Sequence, residues 1–272
     1  MALDHEVTGI RRSSQHNNRL AKLGIRPLNL DITQEREFEK LDAHYDQVVI
    51  AVSPGRGDNE AYQKVFGLGV NHITKWLQRN APTSVVFISS TSVYRQKNAE
   101  WVQEDIADIP ENITSKILWE AEQKISTIEQ AVTILRSSGI YGPGRSHLFR
   151  QFMGGNATIE GNGDRYLNMV HRDDLAEAIT HSITNKDKLC GTFNITDDEP
   201  VKQLAFFKWL SKSTNRPMPV FGPEPDPTTR KRGITNKRVS NKLFKEILGF
   251  QYNYPTFREG LIEELENWKA MP

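Results

Sequence analysis

The sequence predicts an α/β protein built on a doubly wound parallel sheet, and two features of its pattern carry this prediction. Through the first half of the 272 residues, short runs rich in Val and Ile alternate with longer amphipathic segments. That alternation is typical of buried parallel strands joined by helices. After Gly139 the alternation ends and glycines and prolines become frequent, so a smaller, less regular C-terminal lobe is expected to follow the sheet.

The elements of the first half follow from hydrophobic periodicity. Five apolar runs are predicted strands: HEVTGI (5–10), IRPLNL (25–30), QVVIAV (47–52), SVVFIS (84–89) and AVTILR (131–136). Two segments are predicted helices because apolar residues recur every three or four positions: 59–79 and about 115–130. Further along, RYLNMV and GTFNIT have strand-like patterns, and a helix is expected to start near Asp173.

Composition excludes several classes of protein. Lys plus Arg number 35 and Asp plus Glu 34, so a net charge of +1 gives no strong field for nucleic acid or an anionic membrane. No apolar run reaches the roughly 18 residues of a membrane-spanning helix. Cys190 is the only cysteine, which excludes an intrachain disulfide. The N-terminus has no signal-peptide pattern, so a cytoplasmic setting is expected. Separately, no metal site is predicted.

One local basic segment leaves an alternative open. The segment TTRKRGITNKRVSNKLFK (228–245) could hold the phosphates of RNA or DNA through its basic side chains. These are Arg230, Lys231, Arg232, Lys237, Arg238, Lys242 and Lys245. No aromatic residue interleaves with them before Phe244, which favours a solvated helix face or a clamp for a diphosphate. Nucleic acid is therefore not an expected partner. A steep salt dependence of nucleic-acid binding would restore the interpretation that this segment binds RNA or DNA.

Five blocks of sequence carry a family resemblance. They are VVFISSTSVY (85–94), ILRSSGIYGPGR (134–145), VHRDDLAEAI (170–179), GTFNITDDEP (191–200) and KRVSNKLFKEILGF (237–250). In this order they resemble the extended short-chain dehydrogenases/reductases, in particular the atypical branch described as NAD(P)-dependent epimerase/dehydratase-like or nucleoside-diphosphate-sugar epimerase-like. The resemblance extends over nearly the whole chain.

The resemblance implies a fold, a cofactor and a substrate class. It implies a Rossmann-type NAD(P)-binding domain over residues 1–145. It also implies a mainly substrate-binding lobe over 146–272, with segments near 166–196 returning to the sheet. The implied activity is oxidoreductase chemistry on a nucleotide sugar or a similar hydroxyl or carbonyl compound. Relatives often form homodimers through helices that flank the sheet, which makes segments 59–79 and 115–130 candidates for a dimer interface.

The resemblance also implies roles for individual residues. Ser90 occupies the position of the catalytic Ser or Thr, although it could simply cap the strand. The residues expected beside the cofactor are Arg11, Arg12, Ser13, Asp31, Ala51, Val52, Ser53, Ser89, Tyr141, Gly142 and Pro143. Those expected beside the substrate are Thr91, Arg145 and His171.

Two of these assignments have structural alternatives. The sequence Tyr141-Gly142-Pro143 could be an ordinary turn, and its glycine would permit unusual backbone angles in either case. His171 could only pack, with Asp173 or Asp174 serving as a helix N-cap.

The residues after HEVTGI (5–10), which the resemblance matches to the family's second strand, bear on cofactor choice. NAD enzymes place an acidic residue there for the ribose hydroxyls, whereas arginine suits the 2′-phosphate of NADP. Here that position holds Arg11 and Arg12, which favours NADP over NAD. The alternative is that two exposed arginines merely begin a loop.

The chain departs from the family pattern at the general acid/base. Relatives carry Tyr followed four residues later by Lys, and the lysine lowers the tyrosine pKa by stabilising phenolate. With Glu122 aligned to the acidic residue that follows that lysine, the two positions hold Thr114 and Leu118. Ordinary proton transfer is then unavailable, and Tyr94, Tyr141 or His171 would have to replace it. A non-catalytic NADP-binding sensor is therefore the competing interpretation.

The second departure is at the N-terminus. A dinucleotide fold begins with a strand and a G-x-G-x-x-G turn whose backbone amides hold the pyrophosphate. The chain opens instead as MALDHEVTGIRRS, which resembles the end of that first helix followed by the second strand. The expectation is that Met1 is an internal methionine of a longer chain, and the alternative is a divergent member that lacks the first strand.

Overall fold

A computed structural model describes residues 5–41, 44–55, 57–106, 108–185, 187, 189–224 and 234–269. The strands are β1 (Thr8–Arg11), β2 (Arg26–Asn29), β3 (Gln47–Ile50), β4 (Ser84–Ser90), β5 (Glu100–Val102), β6 (Ala131–Ser137), β7 (Gly139–Tyr141), β8 (Thr158–Glu160), β9 (Tyr166–Leu167), β10 (Met169–His171), β11 (Gly191–Ile195), β12 (Val201–Lys202), β13 (Val220–Gly222) and β14 (Lys237–Val239). The helices are α1 (Asn17–Lys22), α2 (Asn59–Tyr62), α3 (Val70–Asn80), α4 (Ile113–Ile125), α5 (His147–Met153), α6 (Arg172–Thr184), α7 (Gln203–Thr214), α8 (Lys242–Leu248) and α9 (Phe257–Lys269). Arg230, Lys231 and Arg232 of the basic segment lie outside the described residues.

The main sheet is parallel, as the alternation of strands and helices predicts. It has the order β11-β6-β4-β3, and Ser90 at the end of β4 is level with Ser137 at the end of β6. Val85, Val86 and Phe87 of β4 are almost completely buried because helices cover both faces of the sheet. The Rossmann-type α/β class predicted from the sequence is confirmed.

A second parallel pair consists of β1 and β2, from Thr8 level with Arg26 to Arg11 level with Asn29. Within the described residues β1 pairs only with β2, and β3 pairs only with β4. Strands β1 and β2 therefore form one hydrogen-bonded sheet, and β3 belongs to another, the main sheet.

The helices on one face of the sheet agree with their periodicity and differ at their ends. The predicted helix 59–79 is continuous through α2, a π-helical segment Gln63–Gly69 and α3. Helix α4 begins two residues earlier than expected because the Oδ1 atom of Asn112 accepts the backbone N–H of Thr114 at 3.1 Å. It ends at Ile125, five residues early, and Ile128 is buried from the turn that follows.

Three apolar clusters form the core. One lies between the sheet and helices α2 to α4 and includes Phe66, Leu77, Phe87 and Ile125. Another lies on the opposite face, where Leu135, Leu175, Phe193 and Phe244 join β6, α6, β11 and α8. The remaining cluster builds the C-terminal lobe from α5, α7 and α9 and contains Phe152, Phe207 and Leu261.

Strand β14 connects the C-terminal segment to the sheet-bearing half. It pairs in parallel with β5, with Lys237 level with Glu100. The preceding residue, Asn236, donates its N–H to Gln96 at 3.0 Å and accepts that of Ala99 at 2.8 Å. On its other side, Asn168 bonds both Lys237 and Val239. The segment is thus fixed between the loop after β4 and the strands of the other lobe.

In the part of the chain that the structure describes, no helix combines the length and apolar character needed to cross a bilayer.

Candidate functional site

The predicted site residues lie at or just after the carboxyl ends of strands, in three separate hydrogen-bonded sheets. Within each parallel sheet the carboxyl ends of the strands share one edge. Strand by strand, they are Arg11, Arg12 and Ser13 at the end of β1; Asp31 after β2; Ala51, Val52 and Ser53 after β3; Ser89, Ser90 and Thr91 at the end of β4; Tyr141, Gly142, Pro143 and Arg145 at the end of β7; and His171 at the end of β10. Open α/β sheets bind their ligands at this carboxyl edge.

Arg12 and Asp31, predicted separately beside the cofactor, act on each other electrostatically. The carboxylate of Asp31 accepts the N–H of Thr33 at 3.0 Å and its hydroxyl at 2.8 Å. Burial opposes the charged form of Asp31, but the bonds from Thr33 and the charge of Arg12 lower its pKa below the ordinary value. Arg11, Arg12 and Ser13 are exposed, so their side chains are open to a ligand.

The loop after β3 is also open. Ala51 and Ser53 are exposed and Val52 is half-buried. The hydroxyl of Ser53 accepts the N–H of Gly55 at 3.1 Å, and Gly55 has a φ of 66°, which favours glycine. This loop presents small side chains and backbone at the carboxyl edge.

Ser89 and Ser90 point to opposite faces of β4, as neighbours on a strand must. Ser89 is buried, and its hydroxyl donates to Glu122 on α4. The structure therefore places Ser89 within the sheet-helix layer instead of at the open edge. Ser90 is half-buried, and its Oγ atom accepts the N–H of Ser92 at 3.2 Å, which caps the turn Thr91–Val93. Among the described residues no acceptor receives the Ser90 hydroxyl hydrogen.

A buried polar network lies below Ser89, and sequence reasoning missed it. Arg136 donates to Glu122 through Nε at 3.1 Å and Nη2 at 2.7 Å, and through Nη1 to the phenol oxygen of Tyr94 at 2.9 Å. Tyr94 in turn donates to Asn194 at 2.8 Å. The available signal was an arginine at the end of an otherwise apolar strand, AVTILR, since a buried charge needs a partner.

The two positions aligned with the family's Tyr and Lys are inside the protein. Thr114 is fully buried, and its hydroxyl donates to Asn112 at 2.8 Å. Leu118 is 3% exposed. Lys116, the basic residue near them, is exposed on the other side of α4. None of the three is placed to form a tyrosine-lysine type of acid/base pair.

The tyrosines considered as substitutes both have protein partners. The phenol of Tyr94 is held between Arg136 and Asn194, and burial raises its pKa in spite of the nearby guanidinium. The phenol of Tyr141 donates to the carbonyl oxygen of Thr256 at 3.2 Å. Burial, followed by the charges of nearby carboxylates, raises the pKa of Tyr141 as well. Neither phenol is prepared to accept or lose a proton near neutral pH.

His171 packs, as its structural alternative has it, and it also caps α6, a role which that alternative gave to Asp173 or Asp174. Its Nδ1 atom accepts the N–H of Asp173 at 3.3 Å and so caps α6. Its ring centre lies 3.7 Å from that of Tyr254 and 5.3 Å from that of Tyr141. Burial lowers the pKa of His171. Burial thus favours the neutral form of the imidazole, which packs between two aromatic rings.

The expectation that Asp173 or Asp174 caps this helix is wrong. His171 itself is the cap, whereas the carboxylate of Asp174 accepts the N–H groups of Asn253 and Tyr254 at 2.9 and 3.0 Å. Asp174 thus fixes the segment before α9 instead of the helix on which it lies. The sequence could not distinguish these roles, because both N–H groups that donate to Asp174 are about 80 residues away.

The Tyr141-Gly142-Pro143 loop is braced by the C-terminal lobe. Gly142 has a φ of 112°, and its N–H donates to Ser146 at 2.9 Å, which also bonds Glu264 of α9. A Cβ atom at Gly142 would lie 2.6 Å from the Nε2 atom of His171, so only glycine fits there. Pro143 accepts a bond from Arg172. Arg145 is exposed beside this loop.

Two further groups near the lobe junction, Lys237 and Asp197, are buried, which the sequence did not predict. Lys237 is 5% exposed, and burial, assisted by the charge of Arg165, lowers its pKa to about 7. Asp197 is 1% exposed with no partner for its Oδ2 atom among the described residues, and burial raises its pKa. A buried ionisable residue cannot be distinguished by sequence from an exposed one in the same type of loop.

The described residues fit part of a dinucleotide. Arg11, Arg12 and Asp31 would accept the adenosine ribose end, and Ser90 with the Tyr141 loop would flank the reactive end. A dinucleotide fold holds the pyrophosphate on a glycine-rich turn that joins its first strand to a helix. Among the described residues no strand pairs between β1 and β3 in a sheet and no such turn occurs, so they supply no cradle for the pyrophosphate. No group of three His, Cys, Asp or Glu side chains in the described ranges could hold a metal ion.

Comparison with known proteins gives one family. The sequence model of the NAD dependent epimerase/dehydratase family matches residues 1–196. Protein YeeZ of Escherichia coli is 30% identical over 225 residues, which span 80% of this chain and 76% of YeeZ. A candidate NAD-dependent epimerase/dehydratase of Methylobacillus flagellatus has a solved structure that is 27% identical, with a TM-score of 0.79 over 99% of this chain and 92% of its own.

More distant structures share the fold. MoeE5 in complex with UDP-glucuronic acid and NAD is 19% identical, with a TM-score of 0.78 over 98% of this chain and all of its own. The human epimerase family protein SDR39U1 with NADPH is 17% identical, with a TM-score of 0.74 over 97% of this chain and all of its own.

Proposed function

Because the chain belongs to the NAD dependent epimerase/dehydratase family, we propose that it binds NADP at the carboxyl edge of its sheets. The proposed substrate is a nucleotide sugar or a similar molecule with a hydroxyl or carbonyl group. When bound, the nicotinamide would supply hydride exchange. Its setting is proposed to be cytoplasmic.

The position of the Ser90 hydroxyl is the observation that carries this proposal. Its hydroxyl closes the central strand β4, is half-buried, and has its hydrogen uncommitted among the described residues. A hydroxyl in that position can donate to a substrate oxygen and stabilise the negative charge that develops there. Thr91 follows it at the same edge, and Arg145 is exposed beyond β7.

Arg11 and Arg12 support the choice of NADP. A planar guanidinium binds a phosphate dianion through two parallel hydrogen bonds, whereas the ribose hydroxyls of NAD call for an acidic acceptor. Both arginines are exposed, and Arg12 also interacts with Asp31. The solved relatives bind NAD in one case and NADPH in the other, so the arginines carry this part of the proposal.

A second candidate function is a non-catalytic NADP-binding sensor. The observation in its favour is that Thr114 and Leu118 are buried at the positions of the acid/base pair. In addition, the phenols of Tyr94 and Tyr141 are hydrogen-bonded inside the protein. A sensor would bind the cofactor through the same residues without turnover.

Ser90→Ala tests the enzymatic proposal. Loss of one positioned donor to a developing charge should lower turnover of NADPH or NADP with UDP-sugars by about 100-fold. NADPH affinity, measured by fluorescence titration, should change little, because Ser90 contacts the reacting end alone. Ser213→Ala in α7 is the matched control. Unchanged turnover in Ser90→Ala would contradict the assignment, and NADPH binding without turnover in the wild type would select the sensor.

We also propose a homodimer through the helices on one face of the sheet. A groove of about 520 Å³ runs between the π-helical segment and α4 and is lined by Gln63, Phe66, Gly67, Leu68, Asn71, Ile117, Glu120, Ala121 and Lys124. Leu68 is 43% exposed there. Light scattering should give a dimer that Leu68→Asp converts to monomer, and a monomeric wild type would contradict this.

A further inference from the structure

Arg238 of β14 lies over two aromatic rings that belong to different lobes. Its guanidinium carbon is 5.0 Å from the ring centre of Trp101 on β5 and 5.5 Å from that of Tyr166 on β9. Its Nε atom donates to the carbonyl oxygen of Ala99 at 2.9 Å. Two cation–π contacts and one hydrogen bond therefore hold the guanidinium where the lobes meet.

This stack lies on the outer face of β14. Lys237 and Val239, the neighbours of Arg238 along the strand, are buried, whereas Arg238 is half-buried. Successive side chains of a strand point to opposite faces, so Arg238 points away from the interior that Lys237 enters. Trp101 is 52% exposed. An open indole surface thus lies beside a guanidinium.

The end of the Arg238 side chain is uncommitted. Among the described residues neither Nη atom has a hydrogen-bond acceptor or an acidic partner. Two other cations on the adjoining segments are paired. Lys202, level with Tyr166 in the sheet, pairs with Asp164 at 2.7 Å, and Lys97 pairs with Glu111 at 2.8 Å. Of these three cations, Arg238 is the one whose charge has no acidic partner within the described ranges.

The backbone around Ala99 fixes the guanidinium in one orientation. Ala99 has a φ of 61°, a conformation that a residue with a Cβ atom rarely adopts. In this conformation its N–H donates to the carbonyl oxygen of Asn236 at 2.8 Å, while its own carbonyl accepts the Nε–H of Arg238. Such strain often accompanies a functional surface. A guanidinium fixed in advance loses little freedom when a partner binds.

We propose that Trp101 and Arg238 form a docking surface for an acidic peptide segment of another protein. The two Nη atoms bind one carboxylate through parallel hydrogen bonds, and the indole packs against an apolar residue beside it. Trp, Tyr and Arg are the residue types that contribute most to binding at protein interfaces.

Other kinds of ligand fit this surface less well. A half-exposed indole gives a small molecule little of the enclosure that small-molecule sites provide. A nucleic acid needs several cations for its phosphates, and Lys97 and Lys202 are already paired. A single carboxylate beside an apolar side chain matches one free guanidinium beside one indole.

The test follows both side chains in the intact protein by ¹⁵N NMR. The indole N–H signal of Trp101 is assigned by its loss in Trp101→Phe, and the Nε–H signal of Arg238 by its loss in Arg238→Lys. The probes are a short capped peptide with a central glutamate between leucines and the same peptide with glutamine. The glutamate peptide should shift both signals to saturation. The glutamine peptide should bind about tenfold more weakly, because it lacks the charge-assisted pair.

Variants separate the two parts of the surface. Arg238→Met should weaken binding of the glutamate peptide about tenfold and abolish its advantage over the glutamine peptide. Trp101→Ala changes an exposed side chain, so the fold is retained, and both peptides should lose affinity by a similar factor. Arg19→Met in α1 removes an exposed arginine elsewhere and should change neither affinity.

Several results would overturn the proposal. The glutamate peptide might shift neither signal, bind no better than the glutamine peptide, or keep its affinity in Arg238→Met. A stronger response of both signals to an RNA oligomer at physiological salt would assign the surface to nucleic acid. Self-association that Trp101→Ala abolishes in sedimentation velocity would assign it to a second copy of this chain. None of these measurements involves NADPH or turnover, so their outcome is independent of the proposed function.

Discussion

The Nη2 atom of Arg136 lies 2.7 Å from the Oε2 atom of Glu122, and both side chains are almost completely buried. Burial disfavours the guanidinium charge, but the hydrogen bonds and charge of Glu122 outweigh this and raise the pKa of Arg136. The pair joins β6 to α4, and through Ser89 and Tyr94 it also holds both ends of the segment that contains Ser90. The geometry at the candidate site therefore depends on a buried ion pair.

Removing one partner of this pair should be severe. Glu122→Gln leaves the Arg136 guanidinium buried without a counter-charge, and arginine cannot escape by losing its proton. We expect the free energy of unfolding to fall by about 3–5 kcal/mol, measured by urea denaturation. Arg136→Met should lower the free energy of unfolding by less at low pH than at neutral pH, because the stranded Glu122 can become neutral by taking up a proton.

The double variant Glu122→Leu/Arg136→Met provides the control, since it leaves no buried charge behind. It should be more stable than Glu122→Leu alone. The exposed pair Lys64–Glu60 offers a second comparison, and Lys64→Ala should leave the free energy of unfolding nearly unchanged, because solvent screens the pair. A similar small effect for Glu122→Gln would show that the buried pair does not hold this region.

Gly260 of α9 allows Tyr141 to approach the helix closely. A Cβ atom at position 260 would lie 2.7 Å from the Cζ atom of Tyr141 and would also collide with its hydroxyl. Gly260→Ala should therefore displace Tyr141 and its loop, at a cost of about 1–3 kcal/mol by thermal or urea unfolding. This cost should appear although alanine is the better helix former.

The Tyr141→Leu background isolates that collision. With the phenol removed, Gly260→Ala should be neutral or should stabilise α9 by up to about 1 kcal/mol through helix propensity. Equal destabilisation in both backgrounds would mean that the alanine disturbs α9 itself and not the Tyr141 contact.

Much of the sheet could be predicted because its signal is local. Runs such as SVVFIS and AVTILR are buried on both faces, so their composition alone indicates strands. The ends of α4 were less accurate, since its start is set by the Asn112 side chain, which accepts the N–H groups of Thr114 and Ser115. The short strands β5 and β14 carry no periodicity of their own, because each exists only through pairing with a segment more than 130 residues away.

Only positions at strand ends could be predicted from the sequence, and the ligand contacts of these residues stay predictions. Ser90 ends β4, whereas Arg12 and Asp31 follow β1 and β2. Ser89 was misplaced because a shift of one residue reverses the face of a strand. The burial of Lys237 and the partners of Arg136 could not be predicted, because both depend on distant segments of the chain.

Arg12 should determine the preference between cofactors. If its guanidinium binds the 2′-phosphate, Arg12→Ala should reduce NADPH affinity about tenfold, the loss of one charge-assisted contact, and leave NADH affinity nearly unchanged. Arg19→Ala on α1 removes an exposed arginine nearby and serves as the control. Fluorescence titration with both cofactors measures the ratio. An equal loss for NADPH and NADH would place Arg12 outside the 2′-phosphate site.

Lys237 should make stability depend on pH in a defined direction. Burial and then Arg165 lower its pKa from about 10.5 to about 7 in the folded protein. Between these values the unfolded chain binds more protons than the folded one, so unfolding becomes less favourable as pH rises. Relative to Lys237→Met, the wild type should gain up to about 1.4 kcal/mol per pH unit above neutrality. Urea unfolding from about pH 7 to about pH 9 measures this difference. Parallel stability curves would mean that Lys237 keeps its proton when folded and would contradict this prediction.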